Sequence, residues 1–237
     1  MTITPASLLP ADELERLETL RRYDILHSLQ EAVFNEFVEL TARIFHLPIS
    51  LIALVDGDEV EYKANEGLPG LRSQPRTEAL CALAVRERKT VVLADVATEP
   101  ALTPAATIAA EAKNLRFYAG APLAMPDQRH IGTLCVIDRR PRTFSPDEQQ
   151  VLEYIASLVA CTVAVRHCCR IGVGQGERHW QLVQRHLVDE IRELVALVRY
   201  LSARFGAQVP VSAAVLEPVR RRLHDLGRVL QEYPTCS

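Results

Sequence analysis

The sequence predicts an α+β protein: an antiparallel sheet flanked by helices, followed by an α-helical hairpin. Three observations carry that reading. Short aliphatic or alternating segments recur between residues 47 and 138, with turn residues between them. Helical spacing brackets those segments on both sides, and the glycine cluster "GVGQGER" separates them from two further amphipathic stretches.

Asp12 to Leu26 and Ala32 to Leu47 carry apolar residues at helical steps, among them Val33, Phe37, Leu40 and Ile44, and predict two amphipathic helices. The aliphatic run "LPISLIALVD" ends in the turn "DGD", which predicts a central strand entering a hairpin, with the alternating "EVEYKANEG" as its partner. A loop over "LPGLRSQPR" leads to a short helix at Thr77 to Arg88, a strand at Thr90 to Val96 and an alanine-rich helical stretch within Pro100 to Glu111. "NLRFYAGAPLAM" and "HIGTLCVIDRR" predict a strand pair joined by "PDQR", in which Gly120 and Gly132 admit a bulge or the close approach of another backbone. Ser145 as N-cap, Pro146 at the first helical position and acids in the first turn then open a long helix reaching Arg170.

Beyond the glycines, Trp180, Val183, Leu187, Ile191, Leu194, Val198, Leu201 and Phe205 recur at three- and four-residue steps. Val219, Leu223, Leu226, Leu230 and Tyr233 repeat that rhythm in a second helix starting near Glu217, with Pro218 in its first turn. An antiparallel hairpin of this size cannot bury its own apolar face, which predicts pairing with a second copy as a dimeric four-helix bundle. The domain boundaries expected are 11–170 for the sheet domain, 171–178 for a linker and 179–234 for the hairpin.

The totals exclude several function classes. A formal charge of -3 gives no electrostatic case for nucleic acid, and the basic runs at Arg139, Arg140 and Arg142 and at Arg220 to Arg222 fit solvated faces. No uninterrupted apolar run approaches the ~20 residues of a membrane span, and the N-terminus lacks the pattern of a leader, so a cytoplasmic location is expected. None of the six cysteines forms a C-x-x-C pair, and no metal site is expected. Cys81, Cys135 and Cys161 sit in apolar patterns as small buried residues. His167, Cys168 and Cys169 are adjacent on one helix, where their side chains diverge.

The segments "ELERLETLRRYDIL", "PISLIALVD", "NLRFYAGAPL" and "IGTLCVIDRRPRTFSPDEQQVL" closely resemble the GAF domains of bacterial signalling proteins, in the subgroup found ahead of histidine kinases and cyclic-dinucleotide enzymes. The resemblance covers Ala11 to Arg170 and implies a sheet of five or six strands, helices on one face and a ligand-sized pocket on the other. It names no ligand, so the cofactor is left unknown. The usual "SFCAHAI" reads "ALCALAV" here, with Leu83 or a neighbour where a histidine is common, which argues against a histidine-dependent site. Pocket candidates by position are Tyr62, Lys63, Arg76, Cys81, Arg116, Tyr118, Cys135 and Asp138. Core packing competes for Tyr62, Cys81 and Cys135, and a structural ion pair for Arg116 and Asp138.

"HLVDEIRELVALVRYL" resembles the phosphoacceptor helix of HWE-type histidine kinases, with Asp189 at the histidine position, and "VLEPVRRRLHDLGRVLQEY" resembles the second helix of that hairpin. Phosphoryl transfer in such kinases needs an imidazole nucleophile, which Asp189 does not supply. The resemblances together imply a signalling protein without catalysis, a GAF sensor coupled to a degenerate kinase hairpin. A homodimer is expected, with a histidine kinase or response regulator docking around His186, Glu190, Arg192 and Glu193. A hairpin that only dimerises the chain is the plainer possibility. The alternative function is a GAF-type redox enzyme or a metal or thiol sensor, such as a methionine sulfoxide reductase-like protein, using Cys81, Cys135 or the His167 to Cys169 group.

Overall fold

The structure is a computed structural model that describes residues 9–24, 26, 31–100, 102–172 and 176–235. Part of the expected 171–178 linker, and Cys236, lie outside these residues. Six strands form one antiparallel sheet: β1 (Ile49–Val55), β2 (Glu59–Glu66), β3 (Ser73–Pro75), β4 (Val91–Leu93), β5 (Phe117–Ala124) and β6 (His130–Asp138), in the order β3-β2-β1-β6-β5-β4. All seven residues of β1 are buried, which is why its sequence shows an unbroken aliphatic run rather than alternation. Edge strand β3 falls in the stretch expected to be loop; three residues paired to Glu59, Val60 and Glu61 are too few to print a period.

Alternation sorts the strands' side chains onto two faces. Ile52, Leu54, Phe117, Ala119, Leu134 and Val136 point toward helices α2 (Ala32–Phe45) and α5 (Pro146–Ile171), with Leu20 of α1 (Glu13–Arg22) in the same cluster. Leu51, Val55, Tyr118, Cys135 and Ile137 point the other way, toward α3 (Cys81–Glu87) and α4 (Pro104–Ala112). Ser145 caps α5 as expected: its hydroxyl accepts from the Glu148 N–H while the Glu148 carboxylate accepts from the Ser145 N–H.

The hairpin is α6 (Gly176–Phe205) and α7 (Ala213–Gln231). It starts three residues before the expected boundary. Its second helix begins a turn ahead of Pro218, because Val215 and Leu216 are buried and extend the apolar face toward the N-terminus. The two helices fold back onto α2 and α5 of the same chain. Trp180, Val183, Leu187, Ile191, Leu194 and Val198 join the cluster that fills the helical face of the sheet, and so do Val219, Leu223, Leu226 and Leu230. Each such side chain contributes about 1.5–3 kcal/mol on burial. The premise that the seam needs a second copy is therefore corrected: the four-helix layer of α2, α5, α6 and α7 forms within one chain. Close contact is possible where α7 crosses α5 because position 227 is glycine, where a Cβ would come within 2.5 Å of the Tyr154 hydroxyl.

Two carboxylates fasten the layer. Glu31, just before α2, accepts from Arg166 Nε at 2.6 Å and from Trp180 Nε1 at 2.7 Å, bridging α5 and α6. Glu148, fully buried in the first turn of α5, pairs with Arg142 and accepts from the Val211 N–H at 3.0 Å in the α6–α7 connection. Arg142 in turn donates to the Phe45 carbonyl at 2.5 Å. Helix α5 has the length and composition of a membrane span, and most of its apolar window is buried between the sheet and the hairpin.

Replacing Glu148 strands the Arg142 guanidinium and the Val211 N–H inside the protein, so Glu148→Ala is expected to cost about 3–5 kcal/mol in urea unfolding. A loss below about 1 kcal/mol would contradict the fastening role.

Candidate functional site

Four of the eight pocket candidates converge on the face of the sheet covered by α3 and α4. Tyr62 on β2, Tyr118 on β5 and Cys135 on β6 project from it, and Cys81 meets them from the first turn of α3. The Cys81 and Cys135 sulfurs lie 3.7 Å apart. Thr133 Oγ1 donates to the Cys81 carbonyl at 3.0 Å, pinning the start of α3 to β6 two residues from Cys135. Burial pushes the Tyr118 and Cys135 groups well above their ordinary pKa values and raises Tyr62 too, so these groups are neutral at physiological pH.

The ring of Tyr118 folds back along its own strand over Gly120, where a Cβ would fall 2.1 Å from the phenolic oxygen. That hydroxyl is fully buried beside the Cys81 and Cys135 thiols and the Tyr62 side chain, with no hydrogen-bond partner of normal geometry among the described residues. The remaining cavity is about 20 Å³, lined by Leu51, Tyr62, Leu80, Cys81, Lys113 and Ile137 among others. That volume holds a molecule of one or two heavy atoms. The ligand-sized pocket implied by the resemblance is thus filled by the chain's own tyrosines and leucines. Its apolar lining escaped the sequence reading, although the period-two placement of Leu51 and Ile137 on one sheet face was a signal for it.

The other four candidates lie elsewhere. Lys63 pairs with Glu61 on its own strand. Arg76 is a clasp: it binds Glu13 at 2.5 Å and donates to the Asp56 carbonyl at 3.0 Å, tying the segment before α3 to α1 and to the β1–β2 turn. Arg116 forms a two-pronged pair with Asp95 at 2.7 and 2.8 Å, not with Asp138. The Asp138 carboxylate caps the N–H groups of Arg139 and Arg140 in the turn that follows β6.

On the hairpin, Asp189 is exposed and makes no hydrogen bond or ion pair among the described residues. All four docking candidates make contacts within the chain. His186 contacts the Tyr233 hydroxyl at 3.2 Å, Glu190 pairs with Arg222 of α7 at 3.5 Å, and Arg192 with Glu36 of α2 at 2.8 Å. Glu193 also reaches Arg222, at 3.3 Å, but stays largely exposed. At the end of α5 the three adjacent side chains diverge: His167 packs edge-on against Tyr23, Cys169 is buried in the helical cluster, and Cys168 is disulfide-bonded. No group of three or more potential metal ligands occurs among the described residues.

This arrangement, a six-stranded antiparallel sheet with a small pocket under α3 and α4 and a helical layer behind, is that of a sensor or signalling domain. A family model described as GAF domain matches residues 26–164, more than half of the chain, and the chain belongs to the GAF domain family. It is 32% identical over 155 residues to the cyclic di-GMP phosphodiesterase PA2567 of Pseudomonas aeruginosa, a match covering 65% of this chain and 26% of that protein. The chain thus spans about a quarter of the length of that relative. Among solved structures it is similar to the GAF domain of an Acinetobacter phosphoenolpyruvate-protein phosphotransferase, at 21% identity and a TM-score of 0.49 over 65% of this chain and 96% of that one. It is also similar to a free methionine-R-sulfoxide reductase of Neisseria meningitidis, at 21% identity and a TM-score of 0.44 over 60% and 83%.

An unpaired buried hydroxyl costs stability, so Tyr118→Phe is expected to leave stability unchanged or raise it by about 1 kcal/mol in chemical unfolding. A loss above about 1 kcal/mol would show that the hydroxyl has a partner. At Glu13, burial pushes the pKa up, but hydrogen bonds and charge from Arg16 and Arg76 outweigh it and hold the carboxyl below its usual range. A folded-state pKa below the unfolded one gives stability that is complete above about pH 4.3 and is lost as pH falls through the lower folded value. Glu13→Gln should flatten that acid limb in a pH series of unfolding midpoints; an unchanged limb would contradict the clasp.

Proposed function

We propose that the chain is a non-catalytic signalling module of the cytoplasm, in which the GAF unit takes an input on its pocket face and the C-terminal hairpin passes it to a two-component partner. The single observation that supports this most is the shared use of α5. One helix lines the sheet and also belongs to the four-helix layer, and its Glu148 touches both the sheet-side Arg142 and the hairpin turn at Val211. A shift in the sheet would therefore bias two packings of the hairpin, which is what a relay requires.

The hairpin resembles a kinase phosphoacceptor domain but has Asp189 in place of the histidine, so its role in this reading is docking. Glu190 and Arg192 hold the hairpin through their ion pairs, and the exposed acidic contacts for a partner are Asp189 and Glu193, the latter shared with Arg222. A homodimer would form away from the seam, which the chain already covers. The relative's name places a similar segment in a cyclic di-GMP protein, which also supports a signalling role.

The test is phosphoryl flow through histidine kinase and receiver pairs of the source organism, with the full chain added. The expected result is a several-fold change in transfer rate for one pair, lost in a double variant Asp189→Arg, Glu193→Arg that folds normally. Equal rates with wild type and the double variant for every pair would contradict the relay.

A further inference from the structure

We propose that Cys81 and Cys135 are a peroxide-reactive dithiol whose oxidation to a disulfide staples helix α3 to strand β6 across the pocket face. The two residues are 54 positions apart, come from different elements and are free thiols already in contact at 3.7 Å. A disulfide needs the sulfurs to close to about 2.05 Å, a movement of less than 2 Å shared between the first turn of a short helix and a strand. The Thr133 to Cys81 hydrogen bond holds the two elements in register for that closure. Access comes from one side, because Cys81 lines the cavity of about 20 Å³ and Cys135 does not. That space admits hydrogen peroxide and excludes a tripeptide disulfide.

The chemistry balances with peroxide as oxidant. The Cys81 thiol gives up its proton as its sulfur attacks one peroxide oxygen; the O–O bond breaks, and the departing hydroxide takes up that proton to leave as water. The Cys135 sulfur then attacks the Cys81 sulfenic acid, the S–O bond breaks, and the second oxygen leaves as water with the Cys135 proton. Two thiols and one peroxide give one disulfide and two waters. The sulfurs are oxidised by two electrons in total and the peroxide is reduced by two. Burial holds the Cys135 thiol up, which fits it as the second, resolving partner. A disulfide whose leaving thiol ionises poorly and is shielded from reductants persists once formed, so the pair would record oxidant exposure slowly and durably.

As a signal this rests on the sensor reading above; the disulfide itself stands on the thiol geometry alone, and its test does not involve a partner. The fully reduced chain is treated with hydrogen peroxide or, separately, with oxidised glutathione, then alkylated in denaturant and mapped by peptide mass spectrometry. The expected result with peroxide is loss of both thiols and a Cys81–Cys135 linked peptide pair. The Cys135→Ser variant, treated with peroxide and then unfolded in denaturant containing dimedone, should instead yield a dimedone adduct at Cys81. Glutathione disulfide should give neither. Hydrogen exchange of the α3 amides should slow by tenfold or more in the oxidised protein and stay unchanged in peroxide-treated Cys135→Ser. Full alkylation of both cysteines after peroxide would overturn the proposal. Equal oxidation by glutathione disulfide would overturn the cavity-gated route, and a disulfide without slower α3 exchange would overturn the staple.

Discussion

The apolar seam between the C-terminal hairpin and the α2/α5 layer is the contact on which the arrangement of the rest depends. Helix α5 is apolar on most of its circumference, and the sheet can cover only one side of it. The hairpin supplies the other side through Trp180, Leu187, Ile191, Leu223 and Leu226. Burying that seam also takes the Glu148 carboxylate out of water, a placement that is stable only because Arg142, the Ser145 N–H and the Val211 N–H all converge on it. The hairpin cannot lift away without unmaking that set.

The two faces of the sheet divide the labour. Strand alternation sends Ile52, Leu134 and Val136 to the helical layer and Leu51, Cys135 and Ile137 to the pocket, so adjacent residues of β6 report to opposite sides. A change at the Cys81–Cys135 contact is therefore one peptide unit from the packing of α5 and α2. The pocket face holds little empty space and a mostly apolar lining, in which Glu78 and Lys113 are the charged residues, which makes thiol chemistry or displacement of a side chain better suited to it than capture of a large polar ligand.

Much of the fold was legible because the relevant forces are local. The Ser145 and Glu148 box, the unbroken β1 run and the helical rhythm of both hairpin helices follow from neighbours in sequence. The destination of the hairpin was not legible, since an apolar face states that it must be buried but not against what. Glu31 and Glu148 escaped for the same reason: their partners, Trp180 and Val211, lie 149 and 63 residues away. In the site, Tyr62, Cys81, Tyr118 and Cys135 were named by their positions in the family resemblance, and strand alternation and the start of α3 bring the four to one face. Arg76 and Arg116 were misplaced because a guanidinium's partner depends on which carboxylate the loops bring near, and loops carry no period.

Trp180 is the chain's sole tryptophan, sits on the hairpin, and is buried against the GAF unit with its indole N–H on Glu31. Its fluorescence therefore reports directly on whether the hairpin docks within one chain. Docking in cis predicts a blue-shifted emission and strong protection from acrylamide quenching, both unchanged on dilution from micromolar to nanomolar protein. A red-shifted, readily quenched tryptophan, or protection that vanishes on dilution, would contradict it.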